Sequence, residues 1–209
     1  MLRDALEQLR AREEQLALIN RELKDRMHNL FAVIDAIFQQ TFRDGVRPEE
    51  MLATVSGRVH ALARAQDLLD VTAEEGARVP SLVSELAKPM SPTPSRMRAS
   101  GPDVAVPSER TTPFALVLHE LATNALKHGA WSFETGSVSI SWGIDREQLA
   151  FEWHERDGPA VAPPSRKGLS LIKFGLPSAK VDYDLKPGGL QCRIRLPLIN
   201  ARLQTSRTH

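Results

Sequence analysis

Glu120, Asn124 and Lys127 stand four and three residues apart within "HELATNALKHGA", His119 to Ala130. On a helix that spacing puts a carboxylate, an amide and an ammonium group on one face. The set suits a magnesium–phosphate ligand. A carboxylate orients water or a nucleophile, an amide oxygen ligates Mg²⁺, and a lysine meets phosphate charge. The same spacing also describes an exposed polar stripe with one i,i+3 pair. A second pair of reactive groups lies far upstream. In "ELKDRMHNLF", residues 22–31, Asp25 precedes His28 by a little under one helical turn. Neutral imidazole is a good nucleophile near pH 7 and forms phosphohistidine, and a nearby carboxylate can orient the ring. The plainer reading is a pair of polar surface residues. A third cluster, "FEWHERDGPAVAPP", sets Trp153 and Glu155 on one face at the end of a strand, before a loop holding Gly158, Pro159, Pro163 and Pro164. By residue type alone, Trp153 reads as core and Glu155 as solvated.

These groups need elements to hold them. Leu2, Leu9, Leu16, Leu23 and Leu30 recur every seven residues, with Ala5, Ile19 and Val33 three residues after members of the series. Gly and Pro are absent from residues 1–44, so the pattern predicts one long helix with a heptad seam, ending at Gly45 and Pro48. A second helix is expected over 49–70, with Leu52, Val55, Val59, Leu62, Gln66 and Leu69 as its stripe. A short helix (81–88) and a Pro- and Ser-rich loop with room for one strand follow. "SERTTPFALVLHELATNALKHG" has helical spacing, with Ser108 or Thr111 placed to cap it and Gly129 to end it. Alternating runs at 137–142, 149–155, 180–185 and 190–198 read as mostly antiparallel strands, with turns at Asp145 and at Gly188–Gly189. Helices followed by such strands predict an α+β layered fold. The last residues, 201–209, are polar and expected to be a flexible tail.

Composition narrows the function classes. The chain has 209 residues, with 27 Lys plus Arg against 26 Asp plus Glu, so charge gives no reason to expect a nucleic-acid partner. Cys192 is the sole cysteine, which excludes an internal disulfide, argues against a zinc cluster and fits a reducing cytoplasm. The charged start, "MLRDALEQLRAREEQ", is unlike a signal peptide, and no apolar run approaches 18 residues, so no membrane insertion is expected.

Taken together, "LALINRELKDRMHNLFAVI", "SGRVHALARAQDLL", "GPDV", "LHELATNALKHGA", "WHERDGPAVAPP" and "GGLQCRIRLPL" resemble, in this order, the HWE family of sensor histidine kinases of two-component systems. The likeness covers about residues 16–198, and His119, Trp153 and Glu155 match the pattern that names the family. It implies a helical hairpin (residues 1–75) that dimerises into a four-helix bundle and carries phosphate. It further implies an ATP-binding α/β sandwich (76–200) of the kind shared with gyrase and heat-shock chaperone ATPases. ATP and Mg²⁺ are the implied cofactors, and a response-regulator receiver domain is the implied partner. Glu120 and Asn124 match the magnesium and nucleotide helix, with Asn124 as the Mg²⁺ ligand; Lys127 matches its basic position and Glu155 the acidic position near adenine. His119, Trp153, Gly158 and Gly168 fall in the same nucleotide-binding pattern.

Three departures bear on activity. The family's acceptor frame, E-L-x-H-R-x-K-N, reads here Glu22-Leu23-Lys24-Asp25-Arg26-Met27-His28-Asn29, so Asp25 holds the acceptor position and His28 that of a lysine. His28 is thereby moved about 60° round the helix and about 4.5 Å along it. After Glu155 the family carries two glycines, and this chain has Asp157-Gly158. The lid, "RKGLSLI", keeps only Gly168. Lost glycines hinder a backbone from closing on phosphate and argue for weak ATP binding. Arg26 and Asn29 are retained, and the resemblance gives the residue four after the acceptor a part in positioning water for receiver dephosphorylation. The expected function is control of a response regulator by phosphotransfer or dephosphorylation. The alternatives are an ATP-dependent kinase that phosphorylates His28 and a non-catalytic dimeric module that docks a receiver domain. Two stripe-bearing helices cannot close a core alone. Analytical ultracentrifugation should therefore show a dimer, and a stable monomer would remove the four-helix-bundle expectation.

Overall fold

The computed structural model describes residues 2–43, 45–71, 76–159, 176 and 178–198, without the side chains of 2–7, 11, 22, 25, 26, 29, 70 and 71. The lid with Gly168 and the tail 201–209 lie outside the described residues. The chain divides into two compact units that part between Arg43 and Asp44.

The first unit is one helix, α1 (Leu2–Arg43). It runs 42 residues because Gly and Pro are missing and the charged residues between the leucines are good helix formers. The seam leucines Leu9, Leu16 and Leu23 are more than half exposed.

The second unit opens with α2 (Pro48–Val71), where Pro48 starts the helix with Glu49 and Glu50 in its first turn. Its buried side is Val55, Arg58, Ala61, Leu62 and Ala65, and Leu52 is 78% exposed. Of the expected stripe, Val55 and Leu62 are buried and Val59, Gln66 and Leu69 half-buried, and only Leu52 departs from it. The small residues Gly57, Ala61 and Ala65 let α2 lie close to another helix, and Arg58 finds a partner there. Next come β1 (Ala77–Arg78), α3 (Val79–Leu86), β2 (Met97–Ser100) and β3 (Ala105–Val106). Strands β1 and β3 form a small antiparallel pair.

Helix α4 (Ser108–Lys127) starts from Pro107, and no side chain caps it. Neither Ser108 nor Thr111 acts as the expected cap. The Thr111 hydroxyl instead bonds the carbonyls of Val106 and Pro107 and accepts the Ala77 N–H, which ties α4 to the β1–β3 pair. After α4, strands β4 (Ser137–Asp145), β5 (Gln148–Arg156), β6 (Lys180–Lys186) and β7 (Gly189–Pro197) complete a five-stranded sheet of order β2-β4-β5-β7-β6. Only the β2–β4 pair among these is parallel. The β4–β5 turn is two residues long, and Arg146 and Glu147 both take left-handed φ (47° and 63°), as the twist of a tight hairpin demands.

Alternation makes one face of the sheet apolar. Ile140, Trp153 and Cys192 lie in one cross-strand row, and Trp142, Phe151 and Ile194 in the next. This face packs on α4, where Phe114 meets Phe151 edge-on at 5.3 Å. The architecture is α+β, as the element pattern predicts. Phe151 has no exposed surface. Phe151→Ala should cost about 3–5 kcal/mol, read as a lower urea midpoint at unchanged slope.

Candidate functional site

The residues singled out on α4 occupy one turn each of a helix pinned between α2 and the sheet. Their exposure rises along it: Glu120 is buried, Asn124 half-buried and Lys127 exposed. The stripe is therefore not a uniform polar surface. Glu120 is held by the fork of Arg58, with Nε donating at 2.7 Å to one carboxylate oxygen and Nη2 at 3.1 Å to the other. Arg58 is 1% exposed and Glu120 5%. A bidentate pair of this kind fixes both groups in orientation. His119 lies alongside, its Nε2 3.5 Å from the Thr123 hydroxyl, and a Cβ on Gly57 would come within 3.0 Å of that nitrogen. Burial pushes the His119 pKa down. Glu120 opposes that shift, and the positive charges of Arg58, Arg64 and Lys127 add to it.

The second cluster joins α4 at its end. Gly129 follows α4, and its N–H, like that of His128, bonds the Asn124 carbonyl at 2.9 Å. Its φ of −106° is not the left-handed value of a glycine stop. The need for glycine is instead one of space: a Cβ there would fall 2.2 Å from Glu155 Oε2. Glu155 is buried, not solvated. Its Oε2 accepts the Ala130 N–H at 3.0 Å and its Oε1 the Trp153 indole N–H at 3.2 Å. Trp153 is wholly buried and meets Trp131 edge-on at 5.8 Å. Arg96 ties the following loop, donating to the carbonyls of Ala130, Phe133 and Gly136. Asp157 has φ 54°, so the left-handed backbone of a glycine position is kept by an aspartate, one of the few side chains that tolerate it. Gly158 then bonds Gly188 O at 2.9 Å, closing β5 onto the β6–β7 turn.

The structure thus brings Glu120, Asn124, Lys127 and His119 together on α4, and Trp153, Glu155 and Gly158 together just beyond its end. His28 is exposed on α1, in the first unit. Asp25, Arg26 and Asn29 share that helix, and their side chains are outside the described residues. Arg58, Gly57 and Arg96 escaped the sequence reading. The first two carried a signal in the small-residue spacing of Gly57, Ala61 and Ala65, whereas Arg96 carried none. Among the described residues, no group of three or more His, Cys, Asp or Glu side chains could hold a metal ion. The Asn124 amide suits an ion carried mainly by phosphate oxygens, and Lys127 suits the phosphate itself. Glu120, with both oxygens on Arg58, does not fit a magnesium or nucleotide role in this arrangement.

The description "HWE histidine kinase" matches residues 22–103. A blue-light-activated histidine kinase of Brucella anthropi is 34% identical over 196 residues, covering 89% of this chain and 40% of the relative. Blue-light-activated histidine kinase 1 of Erythrobacter litoralis is 34% identical over 199 residues, covering 90% of this chain and 55% of the relative. The chain belongs to the HWE histidine kinase family. It spans about half the length of these curated relatives. Two solved structures from Erythrobacter litoralis share the fold. A blue-light-activated histidine kinase aligns with TM-score 0.58 at 19% identity, over 74% of this chain and 51% of that one. A histidine kinase domain aligns with TM-score 0.57 at 16% identity, over 80% and 94%.

In this HWE-family chain, burial raises the Glu155 pKa above its ordinary 4.5, against hydrogen bonds from Ala130, Trp153 and Leu190 that favour the charge. A raised folded value means that the unfolded chain gives up this proton first as pH rises. The stability tied to the group is therefore full below its ordinary pKa, is lost as pH rises through the folded pKa, and is level above it. Glu155→Gln removes the titration. The unfolding free energy of the wild type relative to the variant should decline over the range that begins near the ordinary carboxylate value and ends above the raised one. A difference constant across that range, measured by urea denaturation, would show that the carboxyl is not raised.

Proposed function

We propose that this chain is the core of a two-component signalling protein that controls a response regulator by phosphotransfer or dephosphorylation, with weakened use of ATP. The observation that carries the reading is the capture of Glu120 by Arg58. A carboxylate buried and bidentately paired is unavailable to orient water or to receive a proton from a nucleophile. The lid, which keeps only Gly168, supports the same conclusion from sequence. Phosphoryl transfer between an imidazole and a receiver needs an accessible, in-line nucleophile, and His28 is exposed. The Asn29 amide has the chemistry to position water for hydrolysis of a phosphorylated receiver. The proposed assembly is a homodimer with a helical hairpin over 1–75 and an ATPase-like domain over 76–200, acting in the cytoplasm. No helix among the described residues is long and apolar enough to cross a membrane.

Two assays test this. With γ-labelled ATP and Mg²⁺ the protein should gain little acid-labile label, while a cognate phosphorylated receiver domain should lose its phosphate faster in the protein's presence, to water or to His28. Strong label that disappears in His28→Ala would establish an ATP-driven kinase instead. An unchanged receiver lifetime without label would leave a docking module.

A further inference from the structure

Buried ion pairs are poor stabilisers, because taking two charges out of water costs about what their attraction returns. Their retention needs another reason, and in Arg58–Glu120 the reason lies in which carboxylate is held. Glu120 sits one turn before Asn124 and on the helix that bears Lys127. We infer that α2 is an internal latch on the nucleotide helix: Arg58 occupies Glu120, and Gly57 lets α2 close over His119, so that Mg²⁺–nucleotide binding requires α2 to withdraw from α4.

Three features of the contact fit a latch better than a static brace. First, the guanidinium holds the Glu120 carboxylate and places a positive charge about one helical turn from the amide that would ligate a divalent cation, so the two cations repel. Second, both partners are almost fully sealed from water, so the carboxylate cannot exchange partners without α2 moving. Third, the closeness depends on an absent side chain. Gly57 is in mid-helix, where glycine weakens α2, yet a Cβ there would press on His119 Nε2 at 3.0 Å. The helix gives up stability at the one position where closure over His119 requires it. Binding competence is then set by the fraction of molecules with α2 withdrawn, and the apparent affinity falls in proportion.

This inference rests on the reading that nucleotide use is weak here, and the two fail separately. The measurements use the full chain, with a fluorescent ATP analogue and Mg²⁺ followed by anisotropy, and amide hydrogen exchange in α4 without nucleotide. Arg58→Met removes the competing charge and keeps a side chain of similar reach. Gly57→Ala favours the helix itself but crowds the His119 ring, loosening the closure of α2 while both members of the ion pair keep their side chains. Both should bind the analogue at least about tenfold more tightly than wild type, with faster exchange in α4. If Arg58→Met does not fold, Gly57→Ala decides. A folded variant with unchanged or weaker affinity overturns the latch. Tight binding by the wild type overturns the weak-nucleotide reading, whatever the variants do.

Discussion

A carboxylate taken out of water must be surrounded by donors or give up its charge. Glu155 meets that demand with the Ala130 amide, the Trp153 indole and the Leu190 backbone, and so ties the end of α4, strand β5 and the start of β7 into one knot. Much nearby geometry follows from making room for it. Gly129 and Gly189 are glycines because a Cβ on either would fall within 2.5 Å of a Glu155 atom, and Gly158 because one would crowd Ala130. Shift the carboxylate and the end of α4 loses its anchor to the sheet.

Helix α4 consequently has two masters. Its C-terminal end is fixed to the sheet by Glu155, and its middle is held to α2 by Arg58. Phe114 secures its first half against Phe151. With both ends of α4 fastened to the sheet, α2 meets it through glycine and alanine, the Arg58–Glu120 ion pair and a hydrogen bond from Gln66 to the Thr112 hydroxyl.

Much of this was legible beforehand. The heptad leucines and the absence of Gly and Pro marked α1, and period-two alternation marked the four long strands, because those signals come from burial on one face. The site residues of α4 were legible as a spacing, and the family order of motifs as a whole. What failed was anything decided by tertiary partners. The buried face of α2 kept Val55 and Leu62 of the expected stripe but also took in Arg58, Ala61 and Ala65, because the helix lies close to α4. Thr111 served β1 and not the helix start, since the Ala77 N–H needed an acceptor. Glu155, read as solvated by residue type, is buried because two of its donors, Ala130 and Leu190, come from residues distant in sequence.

Cys192 lies in the row between Trp153 and Tyr183, fully buried, and its thiol is pushed up to about 12 by burial and by Asp182. A thiol in that state is unreactive while the sheet is intact. The native fold therefore behaves toward alkylating reagents as though it had no cysteine at all. Surface thiols introduced elsewhere can be dyed singly without mutating the background, and the reaction of Cys192 itself becomes a clock for the opening of the sheet.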